Sequence, residues 1–217
     1  MLSTPDYSHF TTKDYDKIYE PCEDTFLFLD ALEKDIQFLN ELKPEIVVEI
    51  GPGSGLVINF LAKHLKESKK ILFMATDINK DACLATQKTS IKNNNDINIL
   101  NCDLLSPLFD RLQNKIDVLL FNPPYVVTES DELGSKSLPA AWTGGKDGRE
   151  VMDRVFPMLN NLLSEKGVFY LVALKQNKIE DIELALSNLG FKMEILMNRK
   201  AGIENLFILK FDRKINI

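Results

Sequence analysis

Residues 45–65, Glu-Ile-Val-Val-Glu-Ile-Gly-Pro-Gly-Ser-Gly-Leu-Val-Ile-Asn-Phe-Leu-Ala-Lys-His-Leu, decide the fold. The β-branched run 45–50 stops at a glycine, as a short strand buried on both faces does. A turn rich in glycine follows, from Gly51 to Gly55, and the apolar stretch after it has a helical period. Strand, tight turn and helix make the first unit of an α/β sheet. Outward from this unit the hydrophobic period keeps switching. It predicts strands at 71–76, 97–101, 116–121, 167–173, 191–198 and 204–211, and helices at 23–40, 79–92, 149–163 and 177–189. Phe26, Leu29, Leu32, Ile36 and Leu39 share one face of the first helix. Asn79 is placed as an N-cap, and Gly190 as the residue that ends a helix.

Strands alternating with helices predict a mostly parallel sheet covered on both faces. The last two strands, linked through Gly202, predict an antiparallel hairpin. The expected organisation is one domain over 1–217, with a flexible lead at 1–18, an N-terminal helical segment at 19–40 and a catalytic core at 44–213. The long irregular stretch 126–148 holds Gly134, Pro139, Gly144, Gly145 and Gly148, and a loop of that length is functional or disordered.

Composition narrows the function classes. The chain has 217 residues, enough for one α/β domain and too few for two ordinary ones. No apolar run approaches the roughly 18 residues that cross a bilayer, so no membrane association is expected. The start lacks a basic segment followed by an apolar one, which predicts a cytosolic protein and leaves a nuclear pool open. Cys22, Cys83 and Cys102 are odd in number and widely spaced, against a disulfide framework. With only His9 and His64 beside them, no metal site is expected. The net charge of −6 argues against direct nucleic-acid binding and favours a basic protein partner.

Glu49, Gly51, Gly53 and Gly55 surround the first strand–helix turn, where glycine lets the backbone approach a ligand. The spacing G-x-G-x-G is not the dinucleotide fingerprint G-x-G-x-x-G, and alone it also fits a plain tight turn. Asp77 closes the second predicted strand, where an acid can accept from ribose hydroxyls. Asp103 and Leu104 follow the third, placed for an adenine edge, and Glu49 is placed for a ligand ammonium. Three acids at neighbouring strand ends suit a cationic nucleoside such as S-adenosylmethionine (SAM) better than a pyrophosphate.

Asn122-Pro123-Pro124-Tyr125 ends the fourth predicted strand. The prolines remove two backbone donors and stiffen the chain, and the residue before a proline is held extended. The Asn122 side chain and the carbonyls near Pro123 become fixed acceptors for the two N–H groups of a planar nitrogen. Positioning of this kind is a main catalytic tool when the acceptor nitrogen is a poor nucleophile. Tyr125 can stack on the planar group.

With these residues in view, the chain resembles the amino-methyltransferases of class I fold, and within them the eukaryotic and archaeal HemK-like enzymes. The resemblance is carried by Tyr19-Glu-Pro-Cys-Glu-Asp-Thr-Phe-Leu-Phe-Leu-Asp30, by Asn122-Pro-Pro-Tyr-Val-Val-Thr128, by Ala140-Ala-Trp-Thr-Gly-Gly-Lys-Asp-Gly-Arg-Glu-Val-Met-Asp153 and by Ala201-Gly-Ile-Glu-Asn-Leu206. It implies a Rossmann-like, seven-stranded, mostly parallel sheet with an antiparallel last strand. It implies SAM contacts from Thr25, Glu49, Gly51, Asp77, Asp103 and Asn122. It implies that Asn122 and Pro123 hold the target amide and that Tyr125 stacks on it. The reaction implied is N5-methylation of the glutamine in the GGQ motif of a class I translation release factor. The partner implied is a small zinc-binding activator protein, for which the predicted edge strand 97–101, with Ile97 and Ile99, offers strand addition.

Plainer readings stand beside these. Trp142 is either a packed anchor or a substrate contact. Arg149 and Glu150 open a helix, the Glu23-Asp24 pair caps the first helix, and Asn93–Asp96 form a loop. Adenine-N6 methylation of DNA or RNA is the nearest rival activity. Lysine methylation and an inactive binding scaffold are further ones.

Overall fold

The computed structural model describes residues 2–67, 70–128, 143–202 and 204–214. Seven strands form one sheet in the order β3-β2-β1-β4-β5-β7-β6. They are β1 (Ile46–Ile50), β2 (Leu72–Asp77), β3 (Ile97–Asn101), β4 (Ile116–Phe121), β5 (Leu163–Leu174), β6 (Phe191–Ala201) and β7 (Glu204–Arg213). β1 to β5 pair in parallel. β7 runs antiparallel to β5, and β6 pairs antiparallel with β7 as the expected hairpin. Strand order reverses between β1 and β4, and open α/β sheets bind ligands at the carboxyl ends of such a pair.

The helices are α1 (Glu23–Lys34), α2 (Ile36–Leu42), α3 (Leu56–His64), α4 (Lys80–Lys92), α5 (Met152–Val155), α6 (Leu159–Leu162) and α7 (Ile179–Asn188). The core joins the apolar faces of α1 and α3 to both faces of the central strands; every residue of β4 is buried. Asn79 caps α4 as expected, its side chain accepting from the Asp81 N–H. Gly190 follows α7 at φ +87°, a conformation glycine adopts without strain.

Three elements depart from the sequence reading, each for a physical reason. The helix expected over 23–40 breaks at Asp35. There the carboxylate receives Lys210 Nζ at 2.6 Å and the Tyr170 hydroxyl at 2.5 Å. The helix expected over 149–163 is divided among α5, a 3-10 turn at Phe156–Met158, and α6. Pro157 sits in that turn, and proline has no N–H to continue an α-helical ladder. β5 begins at Leu163, four residues early, and its pairing with β4 shifts between Ile116 and Val118. Gly167 lies at that irregularity, where a Cβ would come within 2.7 Å of the Ile116 carbonyl oxygen.

Residues 2–18, read from the sequence as a flexible lead, have definite partners. The Leu2 N–H donates to Glu33, and Asp6 exchanges hydrogen bonds with Asn93 on the far side of α4. Ile18 packs on Ala82 and Ala85, and Asn79 donates to the Lys17 carbonyl. This strap crosses α4 and delivers Tyr19 to the ligand side of the sheet.

Candidate active site

The strand register builds the site. Ile50 pairs with Thr76 on one side and with Phe121 on the other. The next residues, Gly51, Asp77 and Asn122, therefore emerge at one level on the carboxyl edge, and Gly51 N–H donates to the Thr76 carbonyl at 2.7 Å. A cavity of about 620 Å³ opens above them. Glu49, Gly51, Gly53 and Thr25 line one side of it, Asp77, Asp103 and Leu104 another, and Asn122, Pro123, Pro124 and Tyr125 the far wall. All the residues predicted for the site converge here except Gly55.

Gly55 does a different job. It sits at φ +81° as the N-cap of α3, and a Cβ there would meet the Thr86 Cα at 2.8 Å. It is a helix-contact glycine that lets α3 approach α4, not a glycine opened to a ligand. Gly51 and Gly53 fit the expectation: both have positive φ, and a Cβ on either would meet nothing closer than 3.9 Å.

The acids differ in environment. Glu49 is buried, and its Oε2 accepts from the Ile58 N–H at 2.9 Å in the first turn of α3. Burial pushes its carboxyl up to about 8, partly offset by that hydrogen bond and reinforced by Asp77. Burial likewise raises Asp77 to about 6, against the pull of the Asn79 and Gly53 N–H groups. Two buried carboxyls that receive only backbone N–H groups, and no cation, among the described residues favour a ligand that brings positive charge and hydroxyl donors. Asp103 is half-exposed and pairs with Arg154 at 2.5 Å across the mouth of the cavity.

The Asn122 side chain donates through Nδ2 to Asp24 Oδ2 at 2.8 Å, while its buried Oδ1 has no partner among the described residues. Thr76 and Thr143, which also line the cavity, carry buried hydroxyls without partners. Orphaned polar atoms are costly unless something satisfies them. Among the described residues three of the four that carry such atoms line this cavity.

Asp24 is the residue the sequence reading misplaced. It was expected to cap the first helix, and α1 has no side-chain cap at its N-cap residue, Cys22. Its carboxylate instead sits in the site. It accepts from Asn122, from the Tyr125 hydroxyl at 3.0 Å, from the Tyr19 hydroxyl at 3.2 Å and from the Thr25 N–H at 2.7 Å. Burial and the Asp24 charge raise both phenols well above their ordinary value, so they stay donors.

The two ends of the stretch 126–148 are tied together. Val126 bridges Thr143, Gly144 N–H donates to the Val126 carbonyl, and Thr128 and Gly145 exchange hydrogen bonds. A short turn at Lys146–Gly148 follows, and Arg149 and Glu150 precede α5 instead of opening a longer helix. Trp142 lies outside the described residues.

Comparison with known proteins adds to this geometry. Residues 24–141 match the family model "Methyltransferase small domain". The chain is 44% identical over 212 residues to human methyltransferase HEMK2, covering 98% of this chain and 97% of that one. It is 41% identical over 223 residues to the eRF1 methyltransferase catalytic subunit mtq2 of Schizosaccharomyces pombe, covering 98% and 96%. Among solved structures, the E. cuniculi Mtq2–Trm112 complex, responsible for methylation of the eRF1 translation termination factor, superposes with a TM-score of 0.69 at 28% identity, over 91% of this chain and 99% of that one.

Proposed function

The chain belongs to the methyltransferase family that includes HEMK2 and mtq2, and from that premise we propose that it transfers a methyl group from SAM to the side-chain nitrogen of the GGQ glutamine in the eukaryotic class I release factor. The observation that carries the choice of acceptor is the Asn122 amide of the cavity wall, whose Oδ1 has no hydrogen-bond partner among the described residues.

The cavity suits SAM. Its volume lies within the roughly 300–1,000 Å³ typical of small-molecule sites. Gly51 and Gly53 leave space where any side chain would intrude, Asp77 offers two oxygens to ribose hydroxyls, and buried Glu49 offers a negative partner to an ammonium. Thr25, Asp103 and Leu104 complete its walls. When bound, SAM supplies an electrophilic methyl on a sulfonium.

The protein's own part is positioning. Asn122 Oδ1 accepts one N–H of the target amide, and the main chain at Pro123, with no N–H of its own, keeps competing donors away. Pro124 stiffens the same turn, and the Tyr125 ring forms a wall against which a flat amide lies. An amide nitrogen gives up lone-pair delocalisation as it attacks, and acceptors on its hydrogens stabilise the positive charge that develops there. The nitrogen gains the methyl and loses one proton.

The activity belongs to a heterodimer with a small zinc-binding activator docked at β3. Among the described residues that strand is a sheet edge, bonded to β2 alone. Ile97 and Ile99 are half-buried, while Leu100 beside them and Leu72 on the neighbouring strand are exposed large hydrophobics. Unpaired backbone groups beside exposed apolar side chains favour a partner that adds a strand. A role in translation termination fits the cytosolic location expected from the sequence, with a nuclear pool left open.

The test uses the chain co-expressed with the activator, labelled SAM, and three acceptors: the release factor, its variant with the GGQ glutamine replaced, and duplex DNA or RNA. Label on the intact release factor alone, lost with Asn122→Ala, supports this function. Label on nucleic acid with none on the release factor sinks it in favour of adenine methylation.

A further inference from the structure

We propose that Asp24 is a positioning residue for methyl transfer, fixing which end of the Asn122 amide faces the acceptor; this rests on the glutamine-methylation reading above. The two ends of an asparagine amide are alike in shape and opposite in hydrogen bonding. Packing alone does not choose between them, so a partner must. A carboxylate accepts and never donates, so Asp24 Oδ2, 2.8 Å from Asn122 Nδ2, captures the donor end. The acceptor end, Oδ1, is thereby turned away from Asp24, and in this cavity-lining residue it has no hydrogen-bond partner among the described residues. Reversed, the amide would set its own N–H groups against those of the incoming nitrogen, and the acceptor would be gone.

The same carboxylate ties three separate parts of the chain to one point. Oδ2 also receives the Tyr125 hydroxyl, which fixes the ring that walls the cavity. Oδ1 receives Tyr19 from the N-terminal strap and the Thr25 N–H from the first turn of α1. Asp24 is 2% exposed. Its neighbour Glu23 shares its charge and helix position but points outward, its side chain 66% exposed and 3.8 Å from Arg199. An acid needed only for the helix end belongs on the surface, as Glu23 is; burial with five donors indicates a task in the site.

In the step served, the carbon–sulfur bond of the sulfonium breaks with its electron pair staying on sulfur as a neutral thioether, a carbon–nitrogen bond forms, and the amide nitrogen releases one proton to solvent. Asp24 touches neither reacting atom and acts through Asn122 and Tyr125.

The experiment uses the chain with its activator, saturated with SAM. Asp24→Asn keeps size and removes the exclusive acceptor. The expected result is SAM affinity and release-factor KM close to wild type, with the single-turnover rate lower by about a hundredfold, the size of effect a misplaced reacting group produces. The exchange variant, Asp24→Asn with Asn122→Asp, puts a donor at 24 and an acceptor at 122; it is expected to recover at least about tenfold over Asp24→Asn alone, as coupled contacts do. A helix-end role predicts no such rescue. A wild-type rate in Asp24→Asn, or no gain on exchange, overturns the proposal. A second readout needs no substrate: the side-chain amide protons of ¹⁵N-labelled Asn122 should be protected from solvent exchange in wild type and exposed in Asp24→Asn, and identical protection overturns the proposal. If wild type methylates no glutamine, the proposed function fails by itself and the amide-exchange result still decides the role of Asp24.

Discussion

The side-chain nitrogen of Asn177 lies 2.8 Å from the carbonyl oxygen of Tyr125 and 3.0 Å from that of Asp147, so one buried amide clamps the end of the Asn-Pro-Pro-Tyr turn to the turn at Lys146–Gly148. Its other end accepts from the Leu174 N–H at the end of β5. The acceptor wall is therefore held from behind by residues that touch no ligand.

Gly148 fills the remaining space in that clamp. It has φ +66°, and a Cβ there would collide with the Tyr125 carbonyl and with Asn177 Nδ2. Gly148→Ala should lower methyl transfer by about a hundredfold by displacing the turn, with a stability loss of about 1–3 kcal/mol from backbone strain. Gly190→Ala is the control: φ is +87° but nothing lies within 4 Å, so stability falls while the rate per folded molecule holds. Equal rates for the two variants, measured beside thermal unfolding, would refute the clamp.

Gly55→Ala and Gly53→Ala should separate packing from binding. A Cβ at 55 meets Thr86 of α4, so this variant loses stability by about 1–3 kcal/mol as an overpacked contact. A Cβ at 53 points into open space beside Tyr19, so Gly53→Ala should act more on SAM affinity. Calorimetric binding and thermal unfolding on both variants check the division; a purely cofactor-binding defect at 55 would restore the ligand role first read from its spacing.

The raised carboxyls give the empty protein a defined pH response. Between the ordinary glutamate value of 4.5 and about 8, folded Glu49 holds a proton that the unfolded chain has released. The folded state then binds more protons, so stability falls as pH rises through that window. Asp77 adds the same trend between 3.8 and about 6. A cation bound beside Glu49 favours the ionised form, so SAM binding should expel protons at neutral pH and tighten as pH rises toward 8. Titration calorimetry in buffers of different ionisation enthalpy measures the release. Glu49→Gln should abolish most of it, and a wild type that takes up protons on binding contradicts the assignment.

Much of this was legible in the sequence. The switching period located every strand, and the acids at the ends of β1, β2 and β3 with Asn122-Pro-Pro-Tyr marked the carboxyl edge of the sheet. What was hidden depended on partners far along the chain. An Asp in a first helical turn has the same local signature whether it faces solvent or, as Asp24 does, the end of a strand 98 residues away. G-x-G-x-G does not say which glycine meets ligand and which meets a helix; only Thr86 shows that for Gly55. The break at Asp35 needs Lys210, which the helical period of 23–40 does not contain.

That last pair gives a stability prediction. Lys210 Nζ and Asp35 are 2.6 Å apart, with side chains 8% and 12% exposed, and the Tyr170 hydroxyl shares the same carboxylate. Asp35→Ala strands a buried cation and should cost about 3–5 kcal/mol. Denaturant unfolding measures it; a loss below about 1 kcal/mol, the level of an exposed pair, would show that solvent reaches the site.

The central claim is the identity of the atom methylated. The direct measurement is tandem mass spectrometry of the GGQ peptide after the release factor is incubated with the heterodimer and SAM carrying a trideuterated methyl group. The expected fragment ions place the deuterated methyl on the glutamine side chain with wild type and on nothing with Asn122→Ala. A deuterated methyl on lysine or another residue, with the glutamine unmodified, would contradict it.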